Sequence, residues 1–140
     1  MFTRSKEESP RQERNARVSH ILWQRRDLSG VDLTASGVKV VPGSKQQPHE
    51  HPSEEVYVIT AGSGRMLVRE EERQVGLGNL VYVSPGAVHG IENTSEEVLT
   101  YISAVTPVLG AEVLTTMDSH GLRSKCRAVG DWQNLGGGWF

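Results

Sequence analysis

The stretch Gly43–Gly62, GSKQQPHEHPSEEVYVITAG, decides the reading of this chain. Two histidines stand one residue apart between two prolines, a pair of glutamates follows, and an alternating valine, tyrosine and isoleucine run closes on glycine. Pro48 and Pro52 disfavour helix and favour extended backbone. Side chains two apart on a strand share a face, so Gln47, His49 and His51 point one way, and Glu55, Tyr57 and Ile59 share a face of the next strand. Two imidazoles on one face, with a carboxylate a short turn later, can converge on one point as metal ligands do. Glu54 is the rival carboxylate, but alternation sets it opposite Tyr57.

Working outward, short apolar segments recur at intervals near ten residues, broken by Gly, Pro, Asn and Ser. Strands are predicted at 18–23, 37–41, 55–60, 64–70, 73–77, 80–84, 88–93 and 98–105. That spacing reads as an all-β sandwich or barrel. TAGSG (60–64) reads as a Gly-rich hairpin turn and the EEE run at 70–72 as a solvated tip. A third imidazole, His89, follows the Pro85–Gly86 turn and opens another strand. His20 and His120 have no partner pattern and read as structural or surface residues, and Cys126 as a small core residue.

The ends differ from this pattern. Residues 1–17 are polar and of mixed charge, and read as a flexible or partner-docked arm. Residues 18–106 form the barrel. Residues 107–140 form an extension with room for a short helix and an aromatic tail, NLGGGWF. At 140 residues the chain is one domain with a sizeable core. A net charge of −2 offers no basic field for nucleic acid. No apolar run approaches a membrane span, the N-terminal stretch lacks the apolar centre of a secretory signal, and the single cysteine fits a reducing compartment. The expectation is a cytoplasmic protein with no nucleic-acid or membrane partner.

Gly43, His49, His51, Glu55 and Gly62 match the first cupin motif, G-x(5)-H-x-H-x(3)-E-x(6)-G, without a gap. The second, G-x(5)-P-x-G-x(2)-H-x(3)-N, is met by Gly78, Gly86, His89 and Asn93, with Ser84 where the motif has Pro and Asn79 where Asp often stands. Over residues 37–105 the chain therefore resembles the cupin superfamily, in its small single-domain form. The resemblance implies a double-stranded β-helix, the antiparallel jelly-roll barrel. It also implies that His49, His51, Glu55 and His89 bind one divalent ion inside it. Three neutral imidazoles and a carboxylate suit Fe, Mn, Co, Ni or Zn over Ca, and an octahedral ion would keep two positions for substrate.

The expected function is a small metalloenzyme that chelates and activates an oxygen-bearing organic substrate, of cyclase, isomerase, lyase or dioxygenase type. The alternative is a non-catalytic module that binds or senses a metal or small ligand, because one fold and ligand set serves many chemistries. Alternation nominates Gln47, Tyr57, Met66, Tyr82, Ile91 and Tyr101 as substrate-pocket residues, with Tyr57 the candidate catalytic base. Outward valines such as Val56 and Val58 and the open sheet edges need cover, which predicts a homodimer.

Overall fold

A computed structural model describes residues 1–107 except 15, 25, 26 and 28, together with the backbone of 127–128. Among the described residues its regular structure is all strand: β1 Arg11–Arg14, β2 Arg17–Trp23, β3 Thr34–Val40, β4 Lys45–Glu50, β5 Glu54–Ala61, β6 Ser63–Val68, β7 Glu71–Gly76, β8 Leu80–Val83, β9 His89–Glu92, β10 Leu99–Thr106 and β11 Arg127–Ala128. Two antiparallel sheets face each other, in the orders β1-β2-β3-β10-β5-β8 and β11-β4-β9-β6-β7. This is the jelly-roll barrel. Among the described residues no helix is long and apolar enough to cross a membrane.

The period-two pattern sorts side chains between core and outside. In β5, Glu55, Tyr57 and Ile59 are buried while Glu54, Val56 and Val58 are only partly so. In β10, Leu99, Tyr101 and Ser103 turn the same way. With Val40, Met66, Val83 and Ile91 they fill the space between the sheets. Burying each large aliphatic side chain contributes roughly 1.5–3 kcal/mol.

Three expectations change. TAGSG is not a hairpin: β5 and β6 lie in different sheets, and Gly62 is the corner between them. It takes φ 72°, and a Cβ there would sit 2.6 Å from the Val98 carbonyl oxygen; only glycine accepts both conditions. Second, the solvated hairpin tip expected at 70–72 does form, between β6 and β7, but its turn is Arg69–Glu70, and Glu71 and Glu72 already belong to β7. Third, within 1–17, residues 11–14 pair with β2 in antiparallel register, Arg11 opposite His20. Phe2 also packs edge-on against Trp23 at 4.7 Å, and Arg4 grips Asp27 with two bonds of 2.7 and 2.9 Å. The segment therefore lies on its own barrel. Polarity hid it, because an edge strand has little to bury. The helix and aromatic tail expected in 107–140, with His120 and Cys126, lie outside the described residues, Pro107 and the 127–128 strand apart.

Candidate metal centre

Four elements deliver four side chains to one spot. β4 carries His49 directly opposite His89 of β9, in one sheet. His51 comes from the connection leaving β4, and Glu55 from the start of β5 in the other sheet. The turn before β9 is tied to this connection by a 2.8 Å bond from the Gly86 amide to the His51 carbonyl. Ser84 and Asn79, the two departures from the motif, leave the turns formed: the Ala87 amide bonds the Ser84 carbonyl at 3.1 Å, and Asn79 Oδ1 accepts the Gly76 amide at 2.8 Å. One candidate ligand atom from each of His49, His51, Glu55 and His89 lies within 4.8 Å of the others. Among the described residues this is the one group of three or more His, Cys, Asp or Glu so arranged. His51, Glu55 and His89 are buried and His49 is partly open.

The hydrogen bonds set the tautomers. Each imidazole donates Nδ1–H to a backbone carbonyl two residues away: His49 to Gln47 at 3.0 Å, His51 to Ser53 at 2.9 Å, His89 to Ala87 at 2.8 Å. A carbonyl only accepts, so Nδ1 carries the proton and each neutral ring presents its Nε2 lone pair inward. Yet His51 and His89 Nε2 stand 2.9 and 3.0 Å from the same oxygen, Glu55 Oε2. Lone pairs facing a carboxylate at that distance need a positive charge between them. A divalent ion supplies it without disturbing the Nδ1 bonds, so the donor set fits a metal.

The electrostatics agree. Burial alone would push the Glu55 carboxyl up, but the polar groups gathered at its two oxygens, the His51 and His89 rings at Oε2 and the Ser103 hydroxyl at Oε1, outweigh it. The carboxyl is held well below the usual range. Burial, then the neighbouring His89, pulls the His49 imidazole down to about 3, with Glu55 opposing. Both groups thus hold the protonation a metal requires.

Around the cluster, Tyr57 and Tyr101 are buried with rings 5.1 Å apart, and Tyr57 lies 6.0 Å from His89. Met66 and Ile91 are also buried, opposite each other on β6 and β9. Two pocket candidates turn elsewhere. Tyr82 is 53% exposed and bonds Glu54 on the outside at 2.9 Å. Gln47 is exposed, and Gln46 takes the inward place. The reason is a register shift between Gln46 and His49: Gln46 opposes Ile91, and His49 opposes His89, so three steps on β4 match two on β9. An extra residue reverses the alternation. Gln46 reaches His49 Nε2 at 3.5 Å, and its Oε1 accepts from Tyr57 at 3.2 Å and Tyr101 at 3.4 Å. Tyr57 does not suit the base role: burial, then the Glu55 charge, pushes its hydroxyl well above its ordinary value. It stays protonated and serves as a donor.

Sequence reading also passed over Ser53 and Ser103. Ser103 had a signal, a polar residue at the inward phase of Leu99–Tyr101–Ser103, and Ser53 had none. A separate cleft of about 950 Å3 lies along β7 and β8, lined by Met66, Val68, Val75 and Tyr82 among others. None of the four clustered residues lines it.

A family model described as a cupin domain matches residues 37–105. An uncharacterized protein of Methanocaldococcus jannaschii is 38% identical over 65 residues, 46% of this chain and 52% of that protein, so the match spans about half the length of the curated relative. A predicted oxalate decarboxylase of Thermotoga maritima superposes with TM-score 0.69 at 20% identity, over 77% of this chain and all of that one. KdgF of a Halomonas species gives 0.66 at 20% identity, over 77% and 94% of the two chains. The polyketide cyclase RemF of Streptomyces resistomycificus gives 0.64 at 18% identity, over 84% and 94%. At these identities the likeness is one of fold.

Proposed function

The chain belongs to the cupin superfamily through residues 37–105, and on that premise we propose that it is a small metal-dependent enzyme whose His49, His51, Glu55 and His89 hold one divalent ion. The observation that carries this reading is the trio of imidazoles locked by their Nδ1 bonds, with Nε2 of His51 and His89 against one carboxylate oxygen and a ligand atom of His49 within 4.8 Å of the others. When bound, such an ion supplies Lewis acidity to the oxygens of a chelating organic substrate, for cyclase, isomerase, lyase or dioxygenase chemistry. The protein's own groups do the rest. Ser103 and the carbonyls of Gln47, Ser53 and Ala87 fix the ligand orientations. Gln46 stands against His49, where it can orient a substrate atom. Tyr57 and Tyr101 offer protons to an incoming oxygen, and Met66 and Ile91 keep water from the inner wall. The polyketide cyclase RemF has a similar fold, and one fold can host many chemistries.

One observation favours a second reading, a non-catalytic ligand-binding or sensor module. Among the described residues, Tyr57 and Tyr101 stay protonated and His49 is engaged in the cluster, so no side chain there is a free general base. Elemental analysis of protein purified without chelator or nickel resin, beside a turnover screen, separates the two. The enzyme reading expects about one divalent ion per chain and the loss of both metal and turnover in His89→Ala. A ligand that binds the metal-loaded protein and is never consumed supports the module. Full turnover by metal-free His89→Ala contradicts the metal-dependent reading.

A further inference from the structure

Arg17 opens β2, and its register places it on the inner face. It stands opposite Val40, itself opposite Leu99 of β10; both are fully buried. Two steps along the same face come Ser19, Val38 and Tyr101. A guanidinium is thus carried on the wall that the core side chains occupy, and Arg17 is only partly exposed. Among the described residues no carboxylate forms an ion pair with it. A partly desolvated cation without a counter-charge is costly.

Its surroundings are rich in donors. Tyr57 and Tyr101 both point their hydroxyls at the one amide oxygen of Gln46. The guanidinium lies on the same face of the sheet as Tyr101, two strands away, and its charge opposes the upward pull of burial on both phenols. Gln46, through its amide nitrogen, touches His49 at the other end. One side chain therefore joins the donor cluster to the candidate metal ligands. Guanidinium and phenol donors beside a chelating centre match a carboxylate, which accepts several charge-assisted bonds at once.

We propose that Arg17, with Tyr101 and Tyr57, forms an anion subsite beside the His49–His51–Glu55–His89 cluster, and that it takes the carboxylate of a small organic acid whose other oxygens reach the cluster. The second half of this statement rests on the metal-dependent reading; the anion subsite does not. The substrate displaces the Gln46 amide oxygen from the two phenols and is held at both ends. Neutral analogues keep only the end at the cluster.

Isothermal titration with succinate and its neutral analogue succinamide tests this, on manganese-loaded and on metal-free protein. Metal content is measured in the same samples. The expected result is at least tenfold tighter binding of succinate than of succinamide by the wild type. Arg17→Gln should lose at least tenfold in succinate affinity with its metal content unchanged, while Arg17→Lys retains part of the preference. Equal succinate affinity in wild type and Arg17→Gln overturns the subsite, as does failure of the wild type to prefer succinate. If the wild type holds no manganese, the metal-dependent reading fails, and the titration of metal-free protein still decides the subsite. Thermal melting of both variants identifies one that does not fold, and the other then carries the comparison.

Discussion

Glu55 is gripped from both sides, and that grip shows what single groups do here. Its Oε2 faces two imidazole nitrogens while Ser103 Oγ bonds Oε1. Removing a group that orients a metal ligand typically weakens metal binding about 10–100-fold. Ser103→Ala should do so, read by competition with a metallochromic indicator; unchanged affinity would show that the serine does not orient the carboxylate. His49 carries a second consequence. In the folded metal-free protein it stays neutral down to about 3, against 6.5 for an unperturbed imidazole. Between those values the unfolded chain binds the extra proton, so stability rises with pH across this window and falls on acidification. Glu55, held below its unfolded value of 4.5, adds a loss in the same direction as pH drops through the carboxylate range. The melting temperature of metal-free protein should therefore fall from pH 7 to pH 4, with a shallower slope in His49→Ala. A midpoint that stays level or rises on acidification would contradict these assignments.

At the scale of elements, the glycines and Asn93 hold the corners that aim the ligands. Gly43, Gly62, Gly78 and Gly86, the glycines of the two motifs, all take positive φ. Asn93 is fully buried: Nδ2 donates to the carbonyls of Val40 and Glu97, and Oδ1 accepts from the amide and hydroxyl of Ser95. It ties the end of β9 to β3. Gly64 was not singled out, because its demand is not conformational. A Cβ there would lie 2.4 Å from the Glu92 carbonyl oxygen, on the backbone of the neighbouring strand. Gly64→Ala should cost about 1–3 kcal/mol through this overlap, lowering the midpoint of thermal unfolding; an unchanged midpoint would show that β6 and β9 separate freely. β5 and β10 were legible because their side chains alternate between buried and half-buried, and β2, β3 and β6–β9 because short apolar runs stand between turn residues. β4 was harder to see. KQQPHE contributes ligands rather than core, and its register shift reverses the phase that simple alternation assigns, exchanging Gln46 for Gln47. Tyr82 was misplaced for a related reason: phase alone does not tell an edge strand's inward side from its outward one.

At the scale of the molecule, the barrel and the four clustered residues were both readable, since motif spacing carries the corners and the ligands together. What surrounds the cluster was not. Ser103 and Gln46 gain their roles from partners distant in sequence, Ser53 lends His51 only a backbone carbonyl, and Arg17 was hidden in a segment whose polarity resembles an arm. The architecture explains why the cluster and fold go together. β4 and β9 bring imidazoles from one sheet and β5 brings the carboxylate from the other, so an ion held by all four would pin the two sheets across the core.

X-ray absorption on the full chain loaded with one equivalent of zinc or manganese tests that pinning most directly. The account predicts three imidazole nitrogens and carboxylate oxygen in the inner coordination sphere at about 2.0–2.2 Å, with one nitrogen lost in His49→Ala. A sphere of oxygen alone, or one unaltered by His49→Ala, would contradict it.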